Sequence, residues 1–377
     1  MGARLRDVRA ARGWSQERLV REIEQFARRH VIDVASTASL RVYVSEWENG
    51  RRAISDRYAA ILRRLFGVTD AELRGTQPEA PSVAVADGYD ELLARIDSAR
   101  SVSESLVKAF NDQTEVLRAM DRERGASALV DQMSGHLARL EETLTFAVLP
   151  SARRPVALAL VGASTLAAWQ AIDAGAVDRA WRQYELAKRA ARDAEAPSYL
   201  AHATAEQAYV LMEAGRPALG VDLVREAQRS LGQAGSPRLW AWLYAAEAEL
   251  CAHAGMPDDA CRALDAAAAS IPPGPDDRDP DLPSIFLNGG HLARWRGHVL
   301  AMLGDAGAVS GLYDALEVVD PTFVRAQAGL HIDLAHAHLA RGEYDDAHTQ
   351  VRQARLLANR TGSVRQRRRV DLLSAKL

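Results

Sequence analysis

The 377-residue sequence predicts an all-α chain: a small N-terminal helical bundle, a helical connector and an α-solenoid of repeats. Three observations predict it. Aromatic residues make up only 6% and Ala, Leu, Arg, Glu and Asp dominate, a composition that favours helix over strand. Apolar residues recur at helical spacing through most of the chain. Beyond residue 155, Gly175, Gly215, Gly255, Gly304 and Gly342 are separated by 40, 40, 49 and 38 residues, the mark of a repeat architecture. A chain of this length is expected to form two or three domains.

Leu5, Val8 and Trp14 predict a first helix near 3–12, closed by Gly13. Ser15 is placed to cap a second helix that begins Gln16-Glu17-Arg18, with Leu19, Val20 and Ile23 on its inner face. Leu40, Val44 and Trp47 stand at i, i+4 and i+7, the buried stripe of a short third helix, with Ser39 as N-cap and Asn49-Gly50 as its stop. Arg41, Val42, Tyr43, Ser45 and Glu46 are left facing outwards. Arg51 and Arg52 follow at the exit, where guanidinium groups suit phosphate oxygens. Tyr58, Ile61, Leu62, Leu65 and Phe66 then predict a helix stopped by Gly67, and a short helix near 69–74 completes a domain over residues 1–75.

Two helices in this relation, the second presenting mixed polar residues, describe a helix-turn-helix. Trp14-Ser15-Gln16-Glu17-Arg18-Leu19 and Val44-Ser45-Glu46-Trp47-Glu48-Asn49-Gly50-Arg51-Arg52 resemble the DNA-binding domain of Cro/repressor-type (XRE) regulators. The arrangement is similar to the actinobacterial members that join this domain to a tetratricopeptide-like one. About twenty residues separate Ile23 from Val44, more than in compact members, so the second helix or the turn is extended. The resemblance implies a sequence-specific regulator of double-stranded DNA. Base reading falls on Arg41, Val42, Tyr43 and Glu46: Arg41 suits guanine, Val42 a thymine methyl, and Glu46 either cytosine or a nearby Arg. Phosphate contacts fall on Gln16, Asn49, Arg51 and Arg52. Charge agrees with this division. Residues 1–75 hold fifteen Arg against ten acidic residues, a net of +5, and the remainder carries −8, which gives the overall −3.

Residues 76–88, with Pro78 and Pro81 and no periodic pattern, read as a linker. Behind them Leu92, Ile96, Ala99, Ser103, Leu106, Phe110, Gln113, Leu117 and Met120 alternate at spacings of four and three, as a coiled-coil seam does. The same pattern fits a long helix lying on a neighbouring domain, and the sequence leaves both readings open. Leu129, Met133, Leu137, Leu140 and Leu144 predict a helix folded back beside it. Residues 89–150 therefore read as a helical hairpin and a candidate homodimer element, since one recognition helix reads too few base pairs alone.

Residues 151–377 carry five hairpins in tetratricopeptide-like register. Seven residues before each glycine stands a small residue, Ala168, Ala208, Ala248, Gly297 and Ala335, where two helices cross closely. Nine after each stands a larger one, Tyr184, Val224, Leu264, Tyr313 and Val351. The proline-rich stretch 271–283 interrupts the third interval, and an Arg-rich last helix after Gly362 reads as a cap. Projecting the repeat puts Trp169, His202, Tyr209, Trp242, Glu249, His291, Arg294, His298 and His336 on the concave side. Such groups suit a small-molecule or peptide effector, and equally suit the packed interior of hairpins.

Other function classes find little support in the sequence. His291 and His298 lie seven residues apart, as do His331 and His338, about two turns and too far to share one ion, and no His-Glu-x-x-His appears. No phosphate loop, nucleophile elbow or cofactor motif is visible, so neither an enzyme nor a cofactor or metal is expected. Cys251 and Cys261 lack a second pair and read as reduced and buried. The N-terminus lacks the apolar core of a signal peptide and no run approaches eighteen apolar residues, so a cytoplasmic chain without membrane contact is expected. The sequence thus favours a DNA-binding transcriptional regulator whose repeat domain senses an effector or partner. The alternative is an adaptor that uses the repeats for protein–protein interaction, with only auxiliary DNA binding.

Overall fold

The structure, a computed structural model, describes residues 3–30, 32–68, 83–100, 102–273, 278–279 and 282–377. It is all-α: the described residues contain no strand beyond one isolated bridge between Arg278 and Phe286. The chain divides into two compact units, Met1–Leu93 and Ala94–Leu377.

The first unit contains α1 (Ala3–Ala11), α2 (Gln16–Arg29), α3 (Thr37–Glu48) and α4 (Asp56–Phe66). Ser15 caps α2 by accepting the Arg18 N–H, as its position before the apolar stripe predicts. The cap of α3 is Ser36 and not Ser39: the Ser36 hydroxyl accepts the Ser39 N–H, which adds nearly a turn to the helix. The extension noted between Ile23 and Val44 is therefore shared, since α2 runs on to Arg29 before a connection leads to α3. Leu5, Leu19, Ile23, Leu40, Val44, Trp47, Leu62 and Phe66 form one core in which each is at most 2% exposed. The predicted helix at 69–74 lies outside the described residues. So does most of the predicted linker, but its last six residues, 83–88, are helical within α5 (Val83–Arg100).

The predicted coiled-coil seam is not continuous. Ser103 caps a new helix, α6 (Glu104–Arg124), after α5 has ended at Arg100. Phe110 and Leu117 from the seam's second half are buried with Leu129, Met133, Leu137, Leu140, Val156 and Leu160 in one core. That half therefore packs, through Phe110 and Leu117, into the core of the repeat unit, which begins at Ala94. A 3-10 turn at Ala126–Leu129 leads into α7 (Val130–Phe146).

Five hairpins follow: α8 (Pro150–Asp173) with α9 (Val177–Asp193), α10 (Pro197–Glu213) with α11 (Pro217–Leu231), α12 (Pro237–His253) with α13 (Pro257–Ser270), α14 (Gly289–Met302) with α15 (Ala308–Val318), and α16 (Val324–Ala340) with α17 (Tyr344–Arg360). A last helix, α18 (Val364–Ser374), closes the series. The five turn glycines all have φ between 72 and 76°, a left-handed conformation that glycine adopts without strain. The small residues at the helix crossings are buried, and a Cβ on Gly297 would come 2.7 Å from Leu312 Cδ2. Tyr184, Val224, Leu264 and Val351 fill the gaps between hairpins, but Tyr313 is 38% exposed and Leu312 beside it takes the buried place. One other expectation changes. Helix α8 is long and apolar enough to cross a membrane, but it is the central core helix, with 78% of its most apolar window buried by its neighbours.

The two ends of the repeat unit meet. Arg325, near the start of α16, forms an ion pair with Asp121 of α6 and another with Asp173 of α8 at 3.2 Å. The Ser363 hydroxyl donates to the other Asp173 oxygen at 2.6 Å, and Gly125 sits so close to the Thr361 backbone that no side chain would fit there. Sequence separations of 190 and more are thus closed by polar contacts, and the hairpins enclose a space.

Candidate functional site

Two regions carry the residues singled out in the sequence. In the first unit they lie along α3 and its exit. Glu48, buried at the end of α3, is the hub: Arg9 Nε donates to its Oε1 at 2.5 Å, Arg9 Nη2 to its Oε2 at 3.0 Å, and Gln16 Nε2 to its Oε2 at 2.7 Å. Burial works to raise its pKa, but hydrogen bonds from Arg9 and Gln16 prevail and hold it below the usual carboxylate range. Gln16, expected on phosphate, is half-buried and engaged in this network. Asn49 is exposed but engaged, its Oδ1 accepting from Arg6 Nη2 at 2.8 Å and its amide donating to the Ser45 carbonyl at 2.8 Å.

The remaining positions do face outwards. Arg41 and Val42 are exposed, Arg41 with only a loose 3.9 Å approach to Glu17. An exposed pair of that kind is worth little, so Arg41 can leave it for another anion. Tyr43 is half-buried against Trp47 and Tyr58, and the Arg52 guanidinium lies over its ring at 3.7 Å. Glu46 reaches Arg52 at 3.5 Å, the pairing that the sequence left open. Arg51 is exposed beside them.

The second region is the enclosed space, a cavity of about 420 Å³. Seven of the nine predicted concave residues line it: Trp169, Tyr209, Trp242, Glu249, His291, Arg294 and His298. His202 and His336 do not. His202 is buried behind Trp242, their ring centroids 4.6 Å apart, and burial with the charge of Arg118 drives its pKa down to about 3. His336 is similarly pushed to about 4, by burial and then by Arg369.

Sequence reasoning missed most of the wall. Arg118, Asp121 and Arg122 come from α6, Phe286 from the segment between the proline-rich stretch and α14, Phe323 and Arg325 from the start of the fifth hairpin, and Arg365 and Arg369 from α18. The repeat register pointed only to first helices of hairpins, and nothing in it shows that the connector and the cap meet across the opening. The Arg-rich composition of α18 was the one available signal.

Charge in this cavity is unevenly matched. Glu249 Oε2 accepts from the Tyr209 hydroxyl at 3.0 Å and from Trp295 Nε1 at 2.6 Å. Burial opposes ionisation of Glu249, but the close approach and charge of His298 hold the carboxyl far below its ordinary value. His298 is raised to about 9 against the effect of burial, because Asp333 and Glu249 flank it. Arg365 pairs with Glu213 at 2.6 Å, and Arg369 with Asp333 at 2.9 Å. Glu206 differs. Burial raises its carboxyl to about 8, with only Arg118 opposing, and its Oε2 has no hydrogen-bond partner among the described residues. At neutral pH Glu206 and its 3.8 Å neighbour His202 are thus both uncharged.

Two cavity arginines lack such matching. Arg294 makes no hydrogen bond or ion pair among the described residues, and burial lowers its pKa, with Asp333 only partly offsetting it. Arg122 touches the rings of Phe286 and Phe323, with its guanidinium 5.6 and 5.0 Å from their centroids. Burial and then the charge of Arg118 lower its pKa too. Of the two cysteines, Cys251 is buried as expected, whereas Cys261 is exposed.

No family model matches this sequence, and neither does any curated protein. Solved structures do match. A Podosopora anserina protein of kinesin-light-chain type with nearly identical TPR-like repeats aligns at 15% identity over 53% of this chain and 94% of its own, with a TM-score of 0.35. A Rap protein complexed with Competence and Sporulation Factor aligns at 13% identity over 92% of this chain and 96% of its own, with a TM-score of 0.48. These are helical-repeat proteins of the tetratricopeptide kind. The resemblance of residues 1–75 to a Cro/repressor-type domain rests on their sequence motifs alone.

Proposed function

We propose that this chain is a DNA-binding regulator whose repeat unit receives a ligand bearing an anionic group, a small acid or a short acidic peptide, in its cavity. The observation that carries the ligand reading is Arg294, with Arg122 beside it in the same cavity wall. A half-buried guanidinium with no ion pair among the described residues is favourably placed to take a carboxylate or phosphate through charge-assisted hydrogen bonds. Trp169, Trp242 and Trp295 supply apolar wall for the rest of the molecule. A volume of about 420 Å³ falls in the range of small-molecule sites and excludes a folded partner from the cavity itself.

The DNA reading rests on the exposed set Arg41, Val42, Arg51 and Arg52 at and after a short helix packed on α2, in a Arg-rich unit. A second reading has its own observation. Leu106 and Val116 of α6 are 38% and 58% exposed on the repeat unit, which fits an adaptor that docks another protein on its outer face.

A thermal-shift comparison of the full chain against short acidic peptides and aromatic carboxylates tests the ligand reading. A ligand at 100 times its Kd stabilises by about 2.7 kcal/mol. The expected result is a concentration-dependent rise in Tm with wild type that is lost in Arg294→Ala. A ligand that stabilises both forms equally would place it outside the cavity, and the adaptor reading would then stand.

A further inference from the structure

Behind the cavity wall, Glu249 and His298 meet a residue that does not line it, His253. Glu249 and His253 are four residues apart on α12 and share a face of its last turn. Helix α14 brings His298 against them. A carboxylate oxygen of Glu249 and ring nitrogens of His253 and His298 all lie within 4.8 Å of one another. His298 Nε2 is 3.4 Å from Glu249 Oε1 and makes no hydrogen bond among the described residues. The rings of His253 and His298 are 5.8 Å apart between centroids.

Each of the two deeper groups is oriented from behind. His298 Nδ1 meets Asp333 Oδ1 at 2.8 Å, which turns Nε2 towards Glu249. Metal-binding imidazoles are fixed in just this way by a carboxylate on the other nitrogen. Glu249 Oε2 is taken by Tyr209 and Trp295, which leaves Oε1 for the cluster. The positive neighbours have their own partners: Arg369 bonds Asp333 and Arg365 bonds Glu213. Glu249 Oε1 thus faces His298, whose proton a metal ion would displace on binding.

We propose that Glu249, His253 and His298 form a binding site for a first-row divalent transition ion such as Zn²⁺ or Co²⁺, with its open position towards the cavity. Two imidazoles and one carboxylate are a donor set suited to such ions and poor for Ca²⁺ or Mg²⁺, which take oxygen ligands. Bonds of about 2.0–2.2 Å require the three donors to draw closer than they now stand. His253 permits this, because it is partly exposed at the end of α12, with the chain turning away at Gly255. This expectation departs from the sequence, where no histidine pair has chelating spacing; the site joins two helices 45 residues apart, as His253 and His298 are numbered.

The test uses the full chain, treated with chelator, dialysed and titrated with Co²⁺ while its visible d–d absorption is recorded. Zn²⁺ is then added as competitor. The expected result is a saturable band at one equivalent per chain that Zn²⁺ abolishes. Both His253→Ala and His253→Gln should weaken it by about tenfold or more while far-UV circular dichroism stays that of wild type. His338→Ala, in the other group of nearby ligand types with Glu343 and Asp346, should leave it intact. Absence of a saturable band would overturn the proposal, and would leave His298 as an imidazolium bridging two carboxylates. A band that survives both His253 variants, or that His338→Ala removes, would overturn it as well.

Discussion

The buried carboxylates of the two units are treated in opposite ways. In the first unit Glu48 is satisfied by Arg9 and Gln16, both from the same bundle, and Arg41, Arg51 and Arg52 face outwards. In the repeat unit a set of polar groups faces inwards, and among the described residues two lack a matching partner there: Arg294 makes no ion pair, and Glu206 Oε2 has no donor. A small bundle cannot carry an unmatched buried charge on a core of this size, since its stability is a small difference between large terms. A ring of hairpins can, because its ends are tied together and its centre is a cavity. On the proposed reading, the difference separates a unit that recognises its partner on its outer surface from one that recognises it in its interior.

That comparison breaks if the ring does not depend on its closure. Arg325→Ala removes the cation between Asp121 and Asp173 and leaves two buried carboxylates facing each other. Loss of one partner of a buried ion pair costs about 3–5 kcal/mol. We expect thermal unfolding of the repeat unit to shift down accordingly, and Arg325→Lys to restore part of the loss. A variant as stable as wild type would show that the ends are held together by apolar packing alone.

Glu206 sharpens the contrast through pH. Its folded carboxyl is raised by burial to about 8, above the unfolded value of 4.5. The contribution is therefore fully present below about pH 4.5 and is lost as pH rises through 8. Between pH 5 and pH 8 the loss from this group is on the order of 3 kcal/mol. Urea unfolding at the two pH values should show a smaller fall in Glu206→Gln than in wild type. Parallel falls would mean that water reaches the carboxyl and keeps it ionised.

In the first unit the corresponding test is Glu48→Gln. The amide keeps the shape but leaves Arg9 without its anion, and we expect about 2–3 kcal/mol of lost stability, the scale of a hydrogen bond to a charged group. The loss should be confined to the unfolding of Met1–Leu93, read by amide hydrogen exchange. Protection lost across the repeat unit as well would contradict the separation of the two units.

The sequence made the repeat legible because a tight helical turn demands glycine and a close crossing demands a small side chain; both are local requirements. The stripe Leu40, Val44 and Trp47 was legible for the same reason. What escaped was non-local. Gln16 and Asn49 look like surface residues until α1 brings Arg6 and Arg9 to the end of α3. The seam from Leu92 to Met120 has the right spacing for a coiled coil, and a single capping serine, Ser103, divides it. Cavity arginines on α6 and α18 became visible only when the two ends of the unit were seen to meet. The displaced α3 cap is a smaller case: Ser36 and Ser39 are both good caps, and packing of the preceding loop decides between them.

The most direct measurement of the central claim, outward recognition of DNA and inward recognition of ligand, is a fluorescence anisotropy titration of the full chain. The probe is the best duplex selected from random sequence, titrated without ligand by wild type, Arg41→Ala and Arg294→Ala. The account predicts that Arg41→Ala weakens binding by about 1–3 kcal/mol and relaxes choice at one base pair, while Arg294→Ala binds as wild type does. Wild type should also lose affinity on the order of a thousandfold from 50 to 200 mM salt, as about six phosphate contacts require. A duplex held equally by wild type and Arg41→Ala, or released by Arg294→Ala to the same degree, would contradict it.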